Sequence, residues 1–168
     1  MANDKLGRPS KERLAVLRNQ VTYLFENGRI ETTVAKAKAV ASKAEKILTL
    51  AINTYQDVVK VTKTVTIDGK KVEKEVVNDG VKKLVARRKI MAFVYDLKEQ
   101  REPKESLESF KARTAGVNHP LVEKIFNVYA PKYAERAKEL GTAGGYTRVI
   151  KTRARRGDAA ELAIVELI

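Results

Sequence analysis

The chain is 168 residues long, 43% hydrophobic and 33% charged, a balance that supports a folded core and excludes a wholly disordered protein. Lys and Arg number 34 against 21 Asp and Glu, for a net charge of +13 at pH 7, with no cysteine and one histidine. Disulfides and thiolate metal sites are therefore excluded, no apolar run approaches the ~20 residues of a membrane span, and a polyanion is the expected partner. The start, Met1-Ala2-Asn3-Asp4-Lys5, has no signal-peptide pattern, so a soluble, intracellular (cytoplasmic) protein is expected.

In chain order, Ser10 reads as the N-cap of a helix that runs to about Glu26. Leu14, Leu17, Val21, Leu24 and Phe25 form its apolar stripe, with Lys11 and Arg18 along one edge and Arg13 at the other. Asn27-Gly28 stops it, and the β-branched stretch Arg29-Ile30-Glu31-Thr32 predicts a short strand. Thr33 then caps a second helix reaching about Asn53. Its buried face is Val40, Ala44, Ile47, Leu48 and Ala51, with Ala37 and Ala41 alongside. Lys36, Lys43 and Lys46 project from the opposite side, and Glu45, the nearest acid, points elsewhere.

Valines alternate with polar residues from Val58 to Val77 around Asp68-Gly69, which predicts a projecting β-hairpin dispensable for the core. A third helix spans Val81 to Leu97, with Val81, Leu84, Val85, Met91 and Tyr95 on the core face and Arg88 intruding there by its alkyl stem. Residues 98–116 are polar and of mixed sign, a surface excursion or short helix. A fourth helix begins at Asn118 or His119 with Pro120 in its first turn. Leu121, Val122, Ile125, Phe126, Tyr129 and Tyr133 are its stripe, and Pro131 kinks or divides it. After the flexible link Gly141-Thr142-Ala143-Gly144-Gly145, two strands are predicted at Tyr146–Thr152 and Ala160–Ile168.

Between Gly141 and Gly157 there are five bases (Arg148, Lys151, Arg153, Arg155, Arg156) and no acid. Like charges so close repel unless an anion lies between them, so this turn is expected to be mobile alone and to grip phosphate. Residues 1–60 add 11 bases against 6 acids. Tyr146 beside Arg148 suits stacking on a base while the arginine holds a phosphate.

No catalytic kit accompanies this charge. The one histidine, His119, precedes a proline at a helix start, where a cap or solvent-facing position is expected. There is no Gly-x-Ser-x-Gly elbow, and the glycines at 141–145 lack the Gly-Lys-Ser/Thr ending of a phosphate loop. Catalytic residues, metal ligands and cofactors are all expected to be absent.

Several stretches together resemble a family, the bacterial large-subunit ribosomal proteins of the L-seventeen family. They are Lys5-Leu6-Gly7-Arg8, Leu17-Arg18-Asn19, Arg29-Ile30-Glu31-Thr32-Thr33 running into Ala35-Lys36-Ala37-Lys38, Ala86-Arg87-Arg88, Gly144-Gly145-Tyr146-Thr147-Arg148, and Arg155-Arg156-Gly157-Asp158-Ala159-Ala160. The resemblance implies a two-layer fold of helices on a small mixed sheet, and a place on large-subunit ribosomal RNA near the polypeptide exit tunnel. Family members usually begin with a basic stretch and carry a histidine where Glu12 stands; Ala2-Asn3-Asp4 and Glu12 make this N-terminus less cationic. The hairpin at 58–79 and the excursion at 98–116 look like insertions relative to shorter members.

The expectation is a single α+β domain: several helices packed on a small mixed β-sheet, with an inserted β-hairpin. Its expected function is that of a non-enzymatic constituent of the large ribosomal subunit that binds ribosomal RNA. The candidate RNA-binding residues are Lys5, Arg8, Lys11, Arg13, Arg18, Arg29, Lys36, Lys43, Lys46, Arg87, Tyr146, Arg148, Lys151, Arg153, Arg155 and Arg156. Neighbouring large-subunit proteins are expected partners, and neither a membrane nor a homo-oligomer is. Two rivals are a free RNA-processing enzyme, which the bare catalytic inventory disfavours, and a nucleoid-type DNA-binding protein, which should show a groove-reading arm or helix.

Overall fold

The computed structural model describes residues 5–67 and 70–168. Helix α1 (Ser10–Asn27) starts one residue earlier than a Ser10 cap implies. Extended Pro9 occupies the cap position, and its carbonyl accepts the Arg13 N–H at 2.9 Å. At the other end Gly28 adopts φ 74° and donates its N–H to the Leu24 carbonyl at 2.8 Å, a left-handed close that glycine makes without strain. Leu17, Val21, Leu24 and Phe25 are buried as the periodicity predicts, but Leu14, a turn too early to reach the core, is exposed.

Strand β1 (Arg29–Thr33) leads into α2 (Val34–Ile52), whose alanines Ala37, Ala44 and Ala51 are fully buried with Val40 and Leu48. Those small side chains let α2 lie close against α1 and across the sheet formed by β1, β4 (Thr147–Ala154) and β5 (Glu161–Leu167). The strand order is β1-β5-β4, antiparallel throughout, so the α+β expectation holds while the expected mixed sheet does not. The apolar last strand is the central one. Ala163 and Val165 turn inward to the helices, and Leu162, Ile164 and Glu166 alternate outward.

The hairpin is present as β2 (Val58–Ile67) and β3 (Lys70–Asp79), paired in register from Val58↔Asp79 to Ile67↔Lys70; the Asp68-Gly69 turn lies outside the described residues. Its two ends are joined below by the Gly80 N–H donating to the Asp57 carbonyl at 2.8 Å. The Asp57 carboxylate then caps α3 (Val81–Phe93), accepting the N–H groups of Lys82 at 2.8 Å and Lys83 at 3.2 Å. Gly80 is the N-cap residue, and a Cβ there would stand 2.3 Å from the Asp57 carboxylate oxygen. Glycine is what leaves room for the borrowed cap.

Helix α3 is rotated relative to expectation and ends at Phe93, not Leu97. Ala86, Ile90 and the following Val94 are buried, while Val81, Leu84, Val85 and Met91 lie exposed, and so does Arg88. The cause is an ionic cluster: Lys83 approaches Asp79 at 3.2 Å, and Arg87 bonds both Asp79 and Glu123. Both cations also cover the Phe126 ring, at 5.7 and 5.2 Å from its centroid. These contacts turn the 83/86/87/90 face inward.

The 98–116 stretch contains α4 (Leu107–Thr114), none of it buried, with Ser106 accepting the Ser109 N–H as a true side-chain cap. Arg113 holds it by bonding Glu99 and Glu105. The fourth predicted helix is divided as Pro131 requires: α5 (Pro120–Lys124), a π-helical turn (Ile125–Tyr129) and α6 (Ala130–Leu140). His119 precedes α5 with no capping bond from its side chain, while its carbonyl accepts the Val122 and Glu123 N–H groups at 3.1 and 3.2 Å. It is buried rather than solvent-facing, its Nδ1 3.8 Å from the Asp96 carboxylate.

Candidate nucleic-acid interface

The described residues divide the basic side chains into those the fold has already neutralised and those it leaves open. Arg87 belongs to the first group. Its guanidinium closes the Asp79–Glu123 cluster under Phe126, so in the free chain this expected RNA-binding arginine is already committed to two carboxylates. Burial pushes the Asp79 carboxyl up, but hydrogen bonds from Arg87 and Lys83 outweigh it and hold the group below its ordinary value.

Arg18 is likewise engaged inside. Its Nε donates to the Phe93 carbonyl at 2.7 Å and its guanidinium lies 4.5 Å from the Tyr95 ring centroid, tying α1 to the end of α3. Tyr95 N–H donates to Thr22 Oγ1 beside it at 3.1 Å. Arg13 is half-buried and already engaged.

Tyr146 is also corrected. It is buried, its ring 5.0 Å from that of Tyr133 and so at the end of a chain of aromatics through Tyr129 to Phe25. It has no face left for a base. Burial pushes the Tyr133 phenol in that chain up to about 12.

The β4–β5 turn partly neutralises itself. Arg155 donates two hydrogen bonds to Asp158, at 2.8 and 2.6 Å, and these bonds hold the Asp158 carboxyl down to about 2. Backbone bonds from Arg155 N to Ala160 O and from Ala159 N to Arg155 O, both 2.9 Å, close the loop. The turn therefore carries its own ion pair, which relieves part of the repulsion expected among its arginines. The acid that relieves the arginines lies one residue past the acid-free stretch. Lys151 faces Glu161 at 3.5 Å. Arg29 and Arg148 both stand in register opposite Glu166, with Arg148 3.8 Å from it, so an Arg–Glu–Arg row crosses the outer sheet face.

Among the described residues, Lys5, Arg8, Lys11, Lys36, Lys43, Lys46, Arg153 and Arg156 keep side chains without an acidic partner. To these the structure adds Lys82, Arg88 and Lys89 on α3, which sequence reasoning missed as site residues. The signal was present: from Val81 to Phe93 the chain has five bases and no acid. Placing Val81, Leu84, Val85 and Met91 on the core face hides their position, since in the fold that side of α3 is exposed. The fold brings Lys43 and Lys46 of α2 together with Lys89 of α3 around a shallow hollow between the two helices. No group of His, Asp and Glu among the described residues is arranged to hold a metal ion.

The family model for "Ribosomal protein L17" matches residues 16–168. A large ribosomal subunit protein bL17 from Lachnospira eligens is 39% identical over 184 aligned positions, covering 98% of this chain and 97% of that protein. Its counterpart from Streptococcus gordonii is 37% identical over 168 positions, covering all of both chains. With the match running from α1 to the last strand, the chain belongs to the ribosomal protein L17 family, whose members are structural components of the ribosome and not enzymes.

Proposed function

We propose that this chain is a structural constituent of the large ribosomal subunit that binds its ribosomal RNA, near the polypeptide exit tunnel as the family resemblance implies, beside neighbouring large-subunit proteins. The observation that carries the reading is the sorting of charge. Asp79, Glu123 and Asp158 each neutralise a specific cation, yet the lysines of α2 and the exposed bases of α3 are left without acids on rigid helices. Such helices hold cations at fixed spacings, so they select an RNA shape as well as a charge. The Arg153 and Arg156 side chains extend the set from the β4–β5 turn.

The test is the salt dependence of binding to large-subunit ribosomal RNA. With roughly five phosphates neutralised, log affinity falls with log salt at a slope of about −3 to −5. A slope near zero overturns the electrostatic reading. Sedimentation provides the second measurement: the chain stays stoichiometric with the large subunit through a moderate-salt wash, whereas a free processing enzyme or a DNA-binding protein does not.

A further inference from the structure

The hollow between α2 and α3 has a volume of about 200 Å³. Ile47 and Leu50 from α2 and Phe93 from α3 supply its apolar surface, and Lys43, Lys46 and Lys89 stand around it. On each helix these residues recur at intervals of three and four, so they share the stripe facing the inter-helical groove. None of the three lysines has an acidic partner, and no carboxylate lines the hollow. Its size falls below the roughly 300–1,000 Å³ of sites for drug-sized ligands. A single flat heterocycle fits such a space; a helix or strand of another protein does not.

We infer that this hollow takes one unstacked nucleotide of the ribosomal RNA, its base against Phe93, Ile47 and Leu50 and its flanking phosphates on Lys43, Lys46 and Lys89. The inference rests on the RNA-binding reading above and adds to it a specific base-binding site. An extruded nucleotide offers what the hollow lacks, an apolar-faced ring for the floor and anions for the rim. RNA is bound in this way wherever bases are splayed from the stack. Lysine is the only polar side chain available to a base edge here, so the site holds a base by its face and tolerates its identity.

The wall is set before RNA arrives. Arg18 fixes the Phe93 carbonyl at 2.7 Å, the next residue Val94 is buried, and the Tyr95 N–H is held by Thr22. The hollow is thus built by three helices, with α1 acting from behind through the end of α3.

The experiment uses the full chain, reconstituted with transcribed large-subunit ribosomal RNA, with a photo-reactive benzoylphenylalanine in place of Phe93 or, as a separate probe, of Arg153. Illumination at Phe93 gives an adduct on the base of one nucleotide. An adduct to a protein neighbour instead, or none while the Arg153 probe links to RNA, overturns the hollow and leaves the RNA-binding reading intact. No RNA adduct at either position counts against both. In solution, Phe93→Leu keeps the apolar packing and removes the ring; it weakens RNA binding about five- to tenfold with an unchanged salt slope. The combination Lys43→Gln, Lys46→Gln and Lys89→Gln instead flattens that slope by roughly two to three. Full affinity in Phe93→Leu with native folding overturns the base contact, and an unchanged slope in the lysine variant overturns the phosphate contacts.

Discussion

In the β4–β5 turn, one of three clustered arginines is locked onto Asp158 and the nearby Lys151 and Arg148 each face a glutamate, whereas on α2 and α3 the lysines around the hollow have none. Both regions are basic in sequence, but the first is a turn between two strands and the second lies on two helices. They differ in what their charges do in the free protein. The turn uses part of its charge to close a loop, because two antiparallel strands must be joined there and a guanidinium–carboxylate pair three residues apart fits that geometry. The helices need no such closure, since their backbones are already satisfied along their length, and their cations remain available. Density of positive charge is thus a poor guide to which cations stay open in the free protein; the availability of a local acid decides.

The comparison breaks most readily at Arg87. If the self-neutralised cations are structural, Arg87→Met, which leaves Asp79 and Glu123 without their main partner in a largely covered site, costs about 2–3 kcal/mol of stability. Urea unfolding measures the loss, and RNA affinity per folded molecule stays at the native level. A stable variant with weakened RNA binding would reverse the assignment. The same cluster carries a pH dependence. The Asp79 carboxyl sits below its ordinary 3.8 in the fold, so its contribution is complete above that value and is lost as pH falls through the lower folded one. In Arg87→Met this acid-side fall in stability is reduced.

Within the turn the difference sharpens. Arg153→Gln with Arg156→Gln removes two unpaired charges and lowers RNA affinity about tenfold, each exposed contact being worth up to about 1 kcal/mol. Arg155→Gln, whose charge is already shared with Asp158, changes affinity about threefold or less. Filter binding at fixed salt separates the two, and the reverse order would show that the Arg155–Asp158 pair opens to take up phosphate.

The smallest effect is expected at the hairpin. The two strands pair almost entirely with each other, Val59 and Val77 are exposed, and the Asp57 cap on α3 lies outside the ribbon itself. Replacing Lys60–Val77 with a short Gly/Ser linker that keeps Asp57 and Gly80 leaves the melting temperature within a few degrees, as isolated ribbons contribute little global stability. A collapse in melting temperature would make the ribbon part of the core.

Residues near in sequence carried much of this molecule. The α1 and α2 stripes, Gly28 as a helix stop, the strand at Arg29, the hairpin and the two C-terminal strands follow from periodicity and turn chemistry, because each is decided by neighbours a few residues away. The positive charge of α2 is legible in the same way, but its placement is not: Lys43 and Lys46 lie beside Ile47 and Leu50 at the groove to α3, not opposite the apolar face. What the sequence left open are choices between two workable local answers. Helix α3 has apolar side chains on one side, Val81, Leu84, Val85 and Met91, and a mixed set on the other, Lys83, Ala86, Arg87 and Ile90. Periodicity favours burying the first. The fold buries the second, because Asp79 at the end of β3 and Glu123 on α5 supply the acids that make two inward cations tolerable. Likewise Tyr146, just before β4, could have stacked on a base, but Tyr133, thirteen residues earlier on α6, lies within 5.0 Å of its ring and helps to bury it. The sequence by itself determined the elements and their net charge. Only the tertiary structure decided which charges are neutralised and which remain for a partner, since a side chain's neutralising acid is a neighbour in space.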